Sequence, residues 1–544
     1  MRKINKTIDI FFYIIPTLFL VVPFLFRLVY YPISDDYLLT SVANGTYNNE
    51  PNSHLNVINI TLGFVWEKLY SIIPNVEWYA LSMILLISFN VYVLLFLLKK
   101  RINKWIALAA VIMIEVLLLA WISFTTVAYL SAFVLGLFIF EYMNSKINTL
   151  KSLIIIIVIT FGGFCFRNIA FISGFVAVVP LIVVNIDNEK IKRIALPAAT
   201  IALVVFSCFF VHKIAYSDAN WNKSIEWANA RASVVDYPIL KYDGNEEKFK
   251  EIGFSKNDYD GFEMIGYMAD LKTYSTKNMN KIVQMTPKNI RYNTDVLQAA
   301  KAIASLKEFW GFIIIIIAML FINKNKKQLI FSFLEMACVI GQFLYLFYIG
   351  RAPERILIPV FYLSIFSILF YSLYGKNISD IKNLVKGICI VIPLLLVISY
   401  GKQIVKVRSI HLARQQKYGE IERSISKDKK HLYVINNHNM VLMNKPIALF
   451  EKPTRYNNIL ELSNYEVLFN PIYYDLVKKY KLTYSNNLML DIAVDDIVLF
   501  IDLDGKYIDN IKKYIEEHSG ENVVAENIKT LQDSNTNIYK IKFY

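Results

Sequence analysis

Pro32-Ile33-Ser34-Asp35-Asp36-Tyr37 follows directly on an apolar run that begins at Ile8 and ends at Tyr31. A run of that length suffices to cross a bilayer, which takes about 20 residues. The chain therefore leaves the lipid and at once presents two adjacent carboxylates at the membrane surface. Charge at that depth is costly and tends to mark a site. Asp and Ser also suit helix starts, so a plain cap on the next segment is the simpler alternative. Two acids at an interface favour the functional reading.

On the N-terminal side, Arg2, Lys3 and Lys6 hold the start of the run in the cytoplasm. The acid pair is then outside. The run lacks a short apolar core followed by a small-residue cleavage site, so it reads as an uncleaved span. On the C-terminal side, Leu55, Ile58, Leu62, Val65, Leu69 and Ile72 recur at intervals of three and four, with Asn56, Asn59, Glu67 and Lys68 off that stripe. The spacing predicts an amphipathic helix over His54–Ile73, too polar to span and lying flat on the outer leaflet.

Composition agrees with a membrane protein. Hydrophobic residues make up 56% of the chain, aromatics 15% and charged residues only 19%, and the mean hydropathy is +0.41. Soluble domains average about 45–50% apolar and about 25% charged. The net charge of +14 is not one basic patch. It falls in short clusters between apolar runs, which speaks for membrane topology and against nucleic acid. Cys165, Cys208, Cys338 and Cys389 all lie inside apolar runs, so no outward disulfide framework is indicated. The abundance of Ile, Lys and Asn fits an AT-rich bacterial genome.

Further spans are expected at Trp78–Leu98, Trp105–Trp121, Phe124–Tyr142, Leu153–Phe166, Ile169–Val184, Ile194–Val211, Phe309–Ile322, Leu329–Ile349, Ile356–Tyr374 and Gly387–Tyr400. With the first run this makes about eleven. The basic clusters Lys99, Lys100, Arg101 and Lys104, then Lys146 and Lys151, then Lys190, Lys192 and Arg193, and later Asn323–Lys327 and Lys376–Lys386, all fall on cytoplasmic connections. That alternation places the N-terminus inside and the C-terminus outside. Two outer connections break the trend. Arg167-Asn168 interrupts an apolar stretch and fits either substrate contact or snorkelling. Gly350-Arg351-Ala352-Pro353-Glu354-Arg355 puts two arginines outside, and a rule broken locally in a consistent chain points to function. Glu115 lies mid-span, with no partner readable.

The predicted organisation is a membrane all-α bundle over residues 1–401, with outer loops 32–77 and 214–308, and a small soluble extracytoplasmic α/β domain over 402–544. In the second loop, Ser255 with Asp258 reads as a helix start. In the soluble part, His431–Asn436, Asp496–Asp502 and Asn537–Phe543 read as strands. Lys506–His518 reads as a helix with Ile508, Ile511, Tyr514 and Ile515 on one face. That part shows no metal spacing, Gly-rich phosphate loop or nucleophile motif. His431 and His438 read as surface residues.

The acid pair after the first span, the flat helix in the same loop, the Arg-rich outer connection late in the bundle and the soluble C-terminal part together resemble membrane glycosyltransferases of the GT-C fold. The resemblance implies transfer of a sugar from a polyprenyl-phosphate-linked monosaccharide to a cell-surface glycan or other envelope acceptor, with inversion at the anomeric carbon. It makes Asp35 and Asp36 the catalytic pair, with Asp35 the general base and Asp36 positioning the acceptor or assisting. Arg351, Arg355 and Arg167 are the candidates for the donor phosphate, because a guanidinium fork stays charged and binds phosphate in a bidentate way. Tyr37, Arg231 and Asp236 are further candidates for substrate contact. Some members use a divalent metal at the acids; no cofactor is expected here. Asn229-Ala230-Arg231, Asp236-Tyr237-Pro238 and Gly253-Phe254-Ser255-Lys256-Asn257-Asp258-Tyr259 also resemble patterns in a little-characterised group of Gram-positive multi-span proteins. A flippase or transporter of lipid-linked sugars would favour paired repeats and broken midplane helices, and no clear repeat is seen. An O-antigen-type polymerase, which also uses outer arginines, and a non-catalytic anchored binding protein are the remaining alternatives.

Overall fold

The structure, a computed structural model, describes residues 2–47, 50–100, 102–145, 149–263, 268–322, 325–373, 383–428, 430–436, 445–462, 464–532 and 534–544. Arg101, Lys146, Lys324, Lys376, Lys382 and His438 lie outside them, as do the side chains of Arg2, Lys3, Lys6 and Cys389. In lipid every backbone polar group must be satisfied within its own segment, so the apolar runs fold as helices. Seven described helices are long and apolar enough to cross a membrane, or nine if each of two bent pairs is one span. The chain is thus built as a multi-pass membrane protein.

The helices, in order, are α1 Arg2–Leu25, α2 Ser34–Ala43, α3 Ile60–Ile72, α4 Trp78–Lys99, α5 Lys104–Ala120, α6 Phe124–Asn144, α7 Thr149–Phe166, α8 Asn168–Gly174, α9 Val179–Asn185 and α10 Asn188–Ala215. The loop that follows carries α11 Ala219–Val235, α12 Glu246–Glu251, α13 Lys256–Glu263, α14 Thr276–Met285, α15 Lys288–Arg291 and α16 Val296–Ala304. The bundle then resumes with α17 Lys307–Ile322, α18 Lys326–Tyr348, α19 Glu354–Leu373 and α20 Asn383–Lys427.

Helix α6 is the axis of the bundle. It is enclosed along its whole apolar length and packs against α4, α7, α8, α10 and α19. Small residues permit this closeness. A Cβ on Gly136 would stand 2.2 Å from the Val178 side chain, and one on Gly174 would stand 2.8 Å from Ala132. Helix α10 is the opposite case. Leu203, Phe206, Phe209 and Phe210 are exposed on it, a surface suited to lipid.

Three predicted elements take a different form. Ile169–Val184 is not straight: α8, a 3₁₀ turn at Phe175–Ala177 and α9 meet with a 50° bend. Pro180 in the first turn of α9 has no N–H to continue the preceding helix. The stretch His54–Ile73 is helical only over α3, because Asn59 is extended and its side chain accepts from the Thr61 N–H as an N-cap. The last span does not stop near Tyr400. Helix α20 is 45 residues long, so the expected boundary at 401/402 falls inside one continuous helix.

Beyond α20 lie β1 Leu432–Ile435, β2 Ile459–Glu461, α21 Pro471–Tyr480, α22 Leu488–Val494, β3 Val498–Asp502, α23 Ile508–Ser519, β4 Val523–Leu531 and β5 Thr536–Phe543. The strands form one sheet in the order β2-β1-β3-β5-β4. β1 pairs parallel with β2 and β3, placing Val434 opposite Phe500, while β5 runs antiparallel to β3 and β4. Every residue of β1 and β3 is buried, as in central strands covered on both faces.

The loop between α10 and α17 is packed onto this sheet unit. Ser255 and Asp258 form the expected reciprocal cap, the Ser255 N–H donating to Asp258 Oδ2 at 2.8 Å and the Asp258 N–H to Ser255 Oγ at 3.1 Å. Asp258 also pairs with His518 on α23 at 2.8 Å, and Tyr514 donates to Asp270 at 2.8 Å.

Candidate active site

Asp35 and Asp36 stand in the first turn of α2. Consecutive residues on a helix point about 100° apart, and the two carboxylates have different surroundings. Asp36 points into the bundle and is fully buried. Its Oδ1 accepts from the Tyr79 hydroxyl at 2.8 Å and from the Phe124 N–H at 3.1 Å. Phe124 is the first residue of α6, and the free N–H groups of a helix start favour a carboxylate. Burial nevertheless pushes the Asp36 carboxyl up to about 7, against those two hydrogen bonds, with the neighbouring Asp35 adding to the rise.

Asp35 points towards the loops. Its Oδ2 lies 3.1 Å from Arg355 Nη1, with the two side chains 24% and 16% exposed, so the ion pair remains in reach of a ligand. Its Oδ1 is 3.4 Å from the Tyr465 hydroxyl, which donates to it. Arg355 stands at the start of α19, and its Nε is buried with no partner among the described residues. Arg167 sits at the break between α7 and α8, as the residue that precedes α8. Its guanidinium lies 4.9 Å from the centre of the Phe124 ring. Burial and the like charge of Arg355 both lower its pKa, and Asp35 opposes them; an arginine so placed still carries its charge. Arg231 on α11 is buried and lies 5.2 Å from the centre of the Tyr465 ring.

The structure thus gathers Asp35, Arg355 and Arg167, with Arg231 joined to them through Tyr465. Asp36 lies beneath them. Arg351 belongs to a neighbouring lock. It pairs with Asp236 at 2.8 Å and lies 5.4 Å from the Tyr237 ring, which Arg291 also faces at 5.0 Å. Gly350, at φ +71°, brings that turn against Pro238. Tyr37 points to the other side of α2. Its hydroxyl donates to the Lys445 carbonyl at 2.8 Å, and it lines a cavity of about 460 Å³ together with Asn44, Glu77 and Tyr456.

Tyr79, Tyr465 and Glu466 are members of this region that sequence reasoning missed. Glu466 is buried and accepts from the Asn56 N–H at 3.0 Å, while Asn56 Nδ2 donates to the Tyr465 carbonyl at 2.8 Å. Burial raises the Glu466 carboxyl to about 8. These contacts pin the loop after β2 to the loop after α2, across some four hundred residues of chain. Nothing local in Asn464-Tyr465-Glu466 announces that contact.

Among the described residues no group of three or more His, Cys, Asp and Glu is placed to hold a metal ion. The two carboxylates diverge, and a guanidinium stands beside Asp35 where a cation would bind. This arrangement already supplies Asp35 with a cation from the protein itself. It offers one accessible carboxylate among fixed guanidinium groups.

No family model matches the chain, and no curated protein matches it. Among solved structures it is similar to ArnT from Cupriavidus metallidurans, crystallised bound to undecaprenyl phosphate, with 10% identity over 98% of each chain and a TM-score of 0.40. A likeness that loose settles neither fold nor function.

Proposed function

We propose that the chain is an integral membrane glycosyltransferase of GT-C type that moves a sugar from a polyprenyl-phosphate donor to a glycan or other envelope acceptor. The observation that carries this reading is the 3.1 Å pair between Asp35 and Arg355 with Arg167 close by. A carboxylate and fixed positive charge are the two groups the reaction needs. Counting α1 and α5 with the nine candidate spans gives eleven. The basic connections at the opposite end of the bundle favour a cytoplasmic N-terminus. The acid pair, the loop 214–308 and the residues 402–544 then face outward.

The donor carries its own leaving group. Asp35 accepts the proton of the acceptor hydroxyl as the oxygen attacks the anomeric carbon. The bond from that carbon to the phosphate oxygen breaks, and its electron pair leaves with the polyprenyl phosphate. The sugar passes through oxocarbenium character, while Arg355 and Arg167 stabilise the charge that grows on the phosphate. One displacement inverts the anomeric centre. Before the donor arrives, Arg355 neutralises Asp35. An incoming phosphate competes for Arg355 and releases Asp35 to act as base. Asp36, enclosed by Tyr79 and the start of α6, acts as a positioning residue for α2.

The test is transfer from a synthetic polyprenyl-phosphate sugar by the purified full-length protein in lipid nanodiscs. The reading expects polyprenyl phosphate and a glycosylated acceptor of inverted configuration. Binding of the donor without turnover across a panel of envelope acceptors would favour a carrier or anchored binding protein instead.

A further inference from the structure

A basic cleft, about 330 Å³ in volume, opens between α17, α19 and α20. Lys307 stands at the start of α17, and Lys402 and Lys406 line the cleft one turn apart on α20. Side chains four apart on a helix share a face, so the α20 ammonium groups look into one space. Glu308 lies at its floor, buried and accepting from the Tyr400 hydroxyl at 3.0 Å. Lys307 Nζ lies 3.7 Å from that carboxylate and donates to the Ser399 hydroxyl. Glu354, the other acid at the cleft, is exposed. Lys402 and Lys406 appear in no ion pair among the described residues, so the acids of the cleft do not cancel its positive charge.

Two further observations point to a ligand. Trp121 lines the cleft, and its indole N–H is buried without a hydrogen-bond partner among the described residues. A buried donor left unsatisfied is costly, and each such group calls for an explanation. The cleft is also bordered by lipid-facing surface. Trp310 on α17 and Ile398 and Val405 on α20 are large, apolar and exposed, and α16 beside them exposes Val296 and Leu297. Aromatic and basic residues mixed with exposed aliphatics mark the depth of lipid headgroups.

We propose that this cleft binds the phosphodiester headgroup of an anionic phospholipid. The amines of Lys402 and Lys406 bind the phosphate, Trp121 donates its N–H, and the acyl chains follow the exposed faces of α17 and α20. Basic pockets between membrane helices hold anionic lipid heads in this way. The site is distinct from that of Asp35, although Glu354 in its wall is the neighbour of Arg355. It does not depend on the transfer reaction.

The experiment is native mass spectrometry of the delipidated full-length protein with dioleoylphosphatidylglycerol, and with dioleoylphosphatidylcholine for comparison. Wild type should retain the glycerol lipid and not the choline lipid. The Lys402→Gln, Lys406→Gln double variant should lose that retention by about tenfold or more, and Trp121→Phe should weaken it less. Lys223→Gln with Lys277→Gln, which line a cavity elsewhere, should leave it unchanged. Equal retention by the Lys402, Lys406 variant and wild type would overturn the site. Displacement of the lipid by millimolar inorganic phosphate would overturn the lipid assignment in favour of a free anion.

Discussion

Arg355 Nη1 lies 3.1 Å from Asp35 Oδ2. One group comes from the first loop and the other from the start of α19, more than three hundred residues later, and neither is sealed from a ligand. A base held by a cation is a weak base. Under the proposed function an anionic donor takes the cation away, and donor binding is thereby tied to activation of Asp35.

Arg355→Lys keeps the charge and loses the bidentate fork. It should retain part of the donor affinity and lose most turnover, while Arg355→Ala should lose both. Arg351→Ala should leave donor affinity within a few-fold of wild type, because Arg351 is engaged with Asp236 and Tyr237. A donor titration alongside turnover, on purified proteins, distinguishes the two arginines. An equal loss of donor affinity in both would place the phosphate across the Arg351 lock.

Tyr465→Phe removes the hydroxyl that donates to Asp35 and keeps the ring beside Arg231. Turnover should fall by about tenfold or less, on the scale of one modest hydrogen bond, with no change in thermal midpoint. Unchanged turnover would mean that the sheet unit holds Arg231 and does not act on Asp35.

Asp36→Ala leaves the Tyr79 hydroxyl and the Phe124 N–H buried without their acceptor. That should cost about 1–3 kcal/mol of stability. Asp36→Asn keeps an acceptor oxygen and should cost much less. Thermal unfolding in detergent compares them, and equal midpoints for the two variants would remove the positioning role.

His518 joins α23 to Asp258 in the loop between α10 and α17. Burial lowers its pKa, but the bond to Asp258 and the negative charges of Asp258, Asp270 and Glu517 together outweigh burial and raise it. A raised histidine pKa contributes stability that is complete below about 6.5, the unfolded value, and is lost as pH rises through the folded one. The thermal midpoint should therefore fall as the pH rises above about 6.5, and His518→Gln should flatten that fall. A wild-type midpoint independent of pH over that range would contradict the linkage.

The bundle was readable because apolar length and charge alternation are local signals, and Trp78–Leu98 and Phe124–Tyr142 match α4 and α6 within two residues. The bend at Phe175–Ala177 was not, since an apolar run with one proline looks the same bent or straight. In the sheet, β1 and β3 are buried apolar runs and stood out. β4 exposes Glu526, Lys529 and Thr530 at the edge, so it lacks an apolar alternation to find. Asp35, Arg355 and Arg167 are legible in the sequence because each is a charge at the edge of an apolar run. Tyr465 and Glu466 come from a polar loop, where such residues are ordinary, and only the tertiary fold sets them beside Asp35. The roles separating Asp35 from Asp36 depend on which neighbour each faces, and adjacency in sequence does not contain that.

The most direct measurement is sugar transfer from a polyprenyl-phosphate donor by purified Asp35→Asn protein, set against its donor affinity. Removal of a general base lowers rates by about 10²–10⁴-fold. The account predicts a loss of that size with donor affinity equal to or above that of wild type, since Arg355 is then free for the phosphate. Turnover at the wild-type rate in Asp35→Asn would contradict it.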